Sequence, residues 1–414
     1  MPRLVGELRL MRVGNGVSLT YAPSWLERGF PLSEDLPLVA MEHLPRFKGA
    51  AAGAVDDARP DRWGERLIQY IDKPARLSLM EFLYYAGDDR FGALGVSTSK
   101  TDYLPRRNGP LPRLERAQQL AEVVAKVNAR EPINDAERRM LSAGGSFGGA
   151  KPKALIDIAG EQWVIKFFNN EPVDVPLIEH ASMTLARQAD IATAQTRVVP
   201  LVGENALAVK RFDRAAGRRV HCISAGTALR ASVAEGLEPD FGYPQLAQLL
   251  RRTGDTADGS NQREMGELFR RIVFNILIDN TDDHEKNHAL LNADPRSFGQ
   301  LRLAPAYDVL PTNSGQGHQE FMVGLDGRDS TLSNAMSQCE LFALQRDEAA
   351  AEIRKVIAVV SRWKMHFRTC GVTTADIDDL AQRIDGDGLR LQRQEFGAAT
   401  SAAAPRRRRR NPFT

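Results

Sequence analysis

The stretch Asn280 to Asn287, NTDDHEKN, places an aspartate, Asp282, five positions before an asparagine, Asn287. That interval suits phosphoryl transfer, where the aspartate takes the proton of an attacking hydroxyl and the asparagine holds Mg²⁺. AYDVLP follows, from Ala306 to Pro311, and its Asp308 is placed to be a second metal ligand. Phosphoryl transfer asks little of a protein beyond positioning and charge neutralisation, so a few well-spaced oxygens carry much of the chemistry. The same stretch admits another reading. His284-Glu285-Lys286-Asn287-His288 is a literal H-E-x-x-H, which binds zinc when both histidines share one face of a continuous helix. Turn-forming residues, Asn280 to Asp283, precede it, and Lys286 would set a positive charge beside the metal.

Upstream groups could handle phosphate. In GGSFGGAKPK, from Gly144 to Lys153, Gly148, Gly149 and Ala150 let backbone N–H groups approach phosphate oxygens, and Lys151 or Lys153 adds charge. No Gly-Lys-Ser/Thr follows, so this is not a Walker A loop. Lys166 ends an apolar strand, where an amine can meet nucleotide phosphates, and Glu179 on the next helix can hold it. Each feature alone also has a plainer reading: a flexible turn, a snorkelling lysine, an exposed helix glutamate.

These residues need elements to position them. Leu8–Val13 and Val17–Tyr21 flank Gly14-Asn15-Gly16 and predict a hairpin. Helices are expected near Asp61–Tyr70, Leu77–Tyr85 and Leu114–Ala129, with a Pro- and Arg-rich linker over residues 103–110. A second hairpin is expected from Ala154–Ile158 and Trp163–Phe168, then a helix over Leu177–Ala189, then strands Thr196–Leu201 and Ala206–Arg211. Met265, Leu268, Phe269, Ile272, Val273, Ile276 and Leu277 repeat at helical spacing, so a helix with a wide buried face runs straight into the Asp282 segment. Another long helix is expected over Arg346–Phe367, and disorder from Ala398.

Composition narrows the class. At 43% apolar residues with mixed charges, the 414-residue chain reads as an ordinary globular protein of two or three domains. The net charge is +2, and the run Arg406–Arg410 contributes five positive charges, leaving the body near −3. Any basic nucleic-acid-binding character therefore resides in that tail, which could equally be a solvated end without a role. Cys222, Cys339 and Cys370 are scattered and odd in number, which speaks against a disulfide framework or a zinc ribbon and fits a reducing cytoplasm. No apolar run nears the roughly 18 residues that span a bilayer, so no membrane role is expected.

The order of parts, glycine loop, strand lysine, helix glutamate, Asp-x4-Asn loop and metal aspartate, is the kinase order. The wording resembles the HipA family of serine/threonine kinase toxins of type II toxin–antitoxin systems. SFGGAKPKA from Ser146, VIKFF ending at Phe168, LAVKRFDR from Leu207 to Arg214, NTDDHEKN and PAYDVLP carry the resemblance, with YAPSWL and YYAGDDRFGALGV in the N-terminal part. The resemblance implies an α+β, protein kinase-like two-lobed fold. Its parts would be a HipA-type subdomain over 1–105, an N-lobe-like region over 106–225, a helical lobe over 226–397 and a basic tail over 398–414. It further implies ATP and Mg²⁺ as cofactors, Asp282 as base and Asn287 and Asp308 as metal ligands. Lys166 would contact phosphates under the control of Glu179. Gly148, Gly149, Ala150 and Lys153 would line the phosphate loop, and Lys210 and Phe212 the adenine-side hinge. Ser146 would be the autophosphorylated residue, with Ser142 four positions earlier as the other candidate. Implied partners are a small HipB-like helix-turn-helix antitoxin, DNA through that complex, and a protein substrate such as an aminoacyl-tRNA synthetase. A non-catalytic module of the same fold, acting in a DNA-bound repressor complex, is the alternative. AYDVLP lacks the Phe and Gly of an ordinary DFG motif, so activation-loop logic does not carry over.

Overall fold

The computed structural model describes residues 2–106, 109–142, 151–168, 171–215, 217–292, 300–312 and 314–398. Ser146, Gly148, Gly149 and Ala150 of the glycine loop and the whole arginine run lie outside these residues, as does the segment where disorder is expected beyond Ala398.

The first predicted hairpin forms. Strands β1 (Gly6–Leu10) and β2 (Val17–Tyr21) pair antiparallel with Leu10 opposite Val17, and a short β3 (Glu42–His43) joins β2. Gly14 and Asn15 in the turn take φ of 80° and 53°, a region that glycine and asparagine enter at low cost. Three helices follow, α1 (Pro23–Arg28), α2 (Arg62–Ile71) and α3 (Leu79–Tyr85). Asp61 and Ser78 cap the last two, accepting from Gly64 N and Glu81 N.

Next come α4 (Ala117–Asn128) and α5 (Asp135–Ser142), then a four-stranded sheet. Its strands are β4 (Lys153–Ile158), β5 (Glu161–Lys166), β6 (Thr196–Pro200) and β7 (Asn205–Lys210), in the order β4-β5-β7-β6 with every pair antiparallel. Helix α6 (Val175–Gln188) lies between β5 and β6 in the chain. Side chains alternate across a strand, which divides the sheet into two faces. Ala154, Ile156, Ile165 and Ala208 pack against Trp63 of α2 and Leu120 and Val124 of α4. Leu207 and Val209 belong instead to the core shared with Ile178 and Met183 of α6. Lys153 and Lys166 are direct cross-strand partners, so their side chains leave the sheet on one face.

The C-terminal half is mainly helical. It begins with α7 (Ala225–Ser232), α8 (Tyr243–Thr253) and α9 (Ser260–Leu277). The expected wide buried face of α9 is present: Leu268, Phe269, Ile272, Val273, Ile276 and Leu277 are fully enclosed. Each such side chain contributes about 1.5–3 kcal/mol of burial. Cys222–Ser224, Ala289–Asn292 and Leu301–Leu303 form a small antiparallel sheet around the Asp282 segment. The single helix expected over Arg346–Phe367 is instead two, Arg346–Val360 and Trp363–Thr369. Ser361 turns its hydroxyl back onto Ile357 O at 2.7 Å, a bond that competes with helix continuation. Among the described residues no helix is long and apolar enough to cross a membrane.

Candidate active site

Helix α9 ends at Leu277, and Asp279, two residues on with a φ of 57°, turns the chain into the Asp282 loop. The loop is fixed from beneath by Asp283. This buried carboxylate accepts from the Tyr243 hydroxyl, from Asn275 Nδ2 at 2.9 Å, and pairs with His288 Nε2 at 2.9 Å. Burial alone would raise the Asp283 carboxyl, but the His288 and Tyr243 contacts outweigh it and hold the group below its ordinary value. With Asp283 turned inward, Asp282 is left exposed on the same turn. Partial burial pushes the Asp282 carboxyl up; His284 opposes this, and Asp308 and Glu320 add to it. A carboxylate so tuned is suited to accept a proton.

The H-E-x-x-H reading fails on this geometry. His284 to His288 form a turn rather than a helix, and a strand starts at Ala289. His288 is buried against Asp283 and stacks on Phe321 with ring centres 5.4 Å apart. Among the described residues no group of three His, Cys, Asp or Glu side chains could hold a metal.

Lys166 reaches from the end of β5 and donates to Glu179 Oε1 at 2.7 Å and to Asp308 Oδ1 at 2.6 Å. Burial would lower the Lys166 amine, but Asp308 and Glu179 together raise it well above its ordinary value, so it stays charged. The Glu179 side chain is only 1% exposed, and burial pushes its carboxyl up against the pull of Lys166. It therefore orients Lys166 rather than reaching a ligand. Burial also acts on Asp308, yet the Lys166 charge and hydrogen bond bring its carboxyl down to about 2. Its side chain is nonetheless 44% exposed, open to a cleft of about 960 Å³. Lys153, Lys166, Val164, Val209, Asn287 and Asp308 all line this cleft. That volume lies within the range of small-molecule sites.

Asn287 donates its amide N–H to Asp282 O at 3.3 Å, so its amide oxygen is the atom able to ligate a cation. An amide oxygen and an ionised carboxylate on one cleft fit Mg²⁺, which takes few protein ligands and completes its shell with phosphate and water. Phe212 and Tyr307 also line it, their rings 5.4 Å apart, and Phe91 meets Phe212 edge-on. Lys210 also lines the cleft, although its amine donates to Glu161 at 2.6 Å on the rim.

Comparison with known proteins places this arrangement. Residues 145–363 match the HipA-like C-terminal domain and residues 2–97 the HipA N-terminal domain. The chain belongs to the HipA family. A candidate kinase of Sinorhizobium fredii, Y4dM, is 28% identical over 296 residues, covering 67% of this chain and 64% of the relative. The match thus spans less than two thirds of that relative's length. The HipA of Shewanella oneidensis, solved with HipB and operator DNA, superposes with a TM-score of 0.63 at 16% identity, over 94% of this chain and 95% of that one. At that identity the likeness is one of fold, and it shows the expected two-lobed α+β kinase-like architecture. A proinflammatory kinase of Helicobacter pylori, CtkA, matches 62% of this chain and 95% of its own at 11% identity with a TM-score of 0.48.

Within this HipA-family chain, reading the sequence missed several residues of the cleft, Asp57, Asp61, Phe91 and Tyr307, and gave His284, which also lines it, only a zinc-binding reading. Asp61 had a local signal as the cap of a predicted helix, but nothing in sequence tied it to Lys153. The LAVKRFDR motif has a structural role as well. Arg211 and Arg214 both grip Asp213 and donate to the backbone carbonyl of Arg90, which secures the Gly87–Gly92 loop to the end of β7.

Proposed function

We propose that this protein is an ATP- and Mg²⁺-dependent serine/threonine protein kinase, acting as the toxin partner of a small HipB-like helix-turn-helix antitoxin. The observation that carries the reading is Lys166, joined to both Glu179 and Asp308 on the cleft that Asn287 also lines. Asp282 accepts the hydroxyl proton of the substrate, and Asn287 and Asp308 hold the metal. Lys166 bears on the phosphates, with Glu179 fixing its direction. Phe212 and its neighbours receive the base. When bound, Mg²⁺ neutralises charge on the transferring phosphoryl group. Ser146, in the glycine loop, is the acceptor in self-phosphorylation. A phosphate there adds nearly two negative charges, which opposes re-entry of the loop into an ATP-filled site. The protein substrate belongs to the translation machinery, as the aminoacyl-tRNA synthetases do, and DNA is met through the antitoxin.

The test is incubation of unmodified, folded protein with labelled ATP and Mg²⁺ beside Asp282→Asn, with the phosphate mapped by mass spectrometry. Loss of the base lowers transfer by roughly 10²–10⁴. Phosphate on Ser146 in the parent protein alone supports the reading, and phosphate on Ser142 moves the acceptor. Absence of transfer favours a non-catalytic module that works in a repressor complex.

A further inference from the structure

Helix α7 stands between the Asp282 loop and the N-terminal part of the chain, and hydrogen bonds join it to both. A helix leaves its first N–H groups without partners of its own, and here the loop supplies them. Ala225 N donates to His288 O at 2.8 Å and Gly226 N to Glu285 O at 3.2 Å. These two carbonyls bracket Asn287 in the chain. The approach leaves no room for a side chain at position 226, where a Cβ would meet Glu285 Cγ at 2.8 Å.

The N-terminal part holds the same helix at its two ends. Asp57, in the 3₁₀ turn Gly53–Ala58, accepts from Ser224 N at 2.7 Å, from Ser224 Oγ at 2.8 Å and from Thr227 Oγ1 at 2.9 Å. Ser224 is the N-cap of α7, and its Oγ in turn accepts from Thr227 N. Asp57 lines the cleft, yet both of its carboxylate oxygens are engaged on the helix. Burial pushes its carboxyl up, and the Ser224 and Thr227 donors oppose that. At the other end Arg46 donates through Nη1 to Arg230 O at 2.8 Å and to Val233 O at 2.7 Å, with Asp35 at 3.6 Å from its Nε. A carboxylate at the N-terminus and a guanidinium at the C-terminus match the charges that a helix carries at its ends.

We propose that Asp57 and Arg46 are positioning residues for phosphoryl transfer: they fix α7, and α7 fixes the loop that carries Asp282 and Asn287. This rests on the kinase reading given above. Lys166 and Glu179 are carried by β5 and α6, so the N-terminal part acts on the reacting end of the site more than on the hold over the nucleotide. A small displacement of a reacting group is enough to slow a reaction whose catalysis is mainly positioning.

The experiment compares the full-length parent with Asp57→Asn and Arg46→Met in three measurements: the rate of self-phosphorylation at saturating Mg²⁺-ATP, Mg²⁺-ATP affinity by calorimetry, and amide hydrogen exchange by mass spectrometry. Asp57→Asn keeps the shape and turns one acceptor into a donor. Expected is a fall in transfer rate of about 10–100-fold, with affinity held within about threefold. Exchange should quicken over residues 280–289 and stay unchanged in α9 and in the four-stranded sheet. Arg46→Met should show the same pattern more weakly, and it carries the test from the other end of α7 should Asp57→Asn fail to fold. A parental transfer rate in both variants overturns the inference. So does faster exchange throughout the chain with rate and affinity lost together, which would mark a purely structural role. A parent that transfers no phosphate overturns the kinase reading itself, and the inference falls with it.

Discussion

Asp308 does two things at one position. Its carboxylate locks Lys166, and its backbone sits at φ 60°, in the left-handed region that non-glycine residues enter at a cost of roughly 1–2 kcal/mol. That cost is sustained because the conformation carries the carboxylate to Lys166 on the cleft. The depressed carboxyl, about 2 in the folded chain, has a signed consequence. A group whose folded value lies below its unfolded one stabilises the fold above the unfolded value, near 4, and loses that contribution as pH falls toward 2. Urea unfolding of the parent and Asp308→Asn across that window should show the parent's advantage shrinking as the solution is acidified. A gap that stays constant with pH would show that Asp308 is not paired in the folded state. Asp282, Asn287 and Asp308 could be picked out from sequence because their spacing is local. Asp57 could not, because its partners, Ser224 and Thr227, arrive much later in the chain.

At the scale of an element, the Asp282 loop is held by what lies under it. Tyr243 from α8, Asn275 from α9 and His288 converge on Asp283, and that inward pull leaves Asp282 facing out. The Tyr243 hydroxyl is fully enclosed, so Tyr243→Phe removes a hydrogen bond to a charged group without altering shape. It should cost about 1.5–3 kcal/mol in chemical denaturation, the usual worth of such a bond. A loss near zero would mean that another donor takes its place. Strong periodicity made α9 legible from its own residues. The break after Val360 was not, because the apolar spacing of Val356, Val360, Trp363 and Phe367 continues across it and only the folded chain shows the turn at Ser361 and Arg362.

At the scale of the molecule, the N-terminal part and the sheet are joined by charge as well as by apolar packing. Arg211, Asp213 and Arg214 are nearly enclosed, and Asp213 also accepts from Gly92 N at 2.8 Å. Asp213→Ala would leave two arginines without this carboxylate, and breaking a buried pair from one side costs about 3–5 kcal/mol. A shift of that size in the denaturation midpoint is expected, with the slope against denaturant unchanged. A shift within about 0.5 kcal/mol, as for an ordinary surface change, would show that the arginines find other acceptors. The same core runs from Val17 in β2 through α6 and α9 to Ile384, so residues far apart in the chain share one apolar interior.

By itself the sequence determined the elements that repeat strongly, the two hairpins, α6 and α9, and it set the candidate residues Asp282 and Asn287 within a few positions of one another. Those depend on local periodicity and spacing, which need no knowledge of the fold. Tertiary structure alone decided that His288 is a buried support rather than a zinc ligand, that Glu179 and Asp308 meet on one amine, and that Asp57 and Arg46 hold the two ends of α7. Each of these depends on which side chains are brought together and removed from water, and pairing across the chain is a property of packing, not of order.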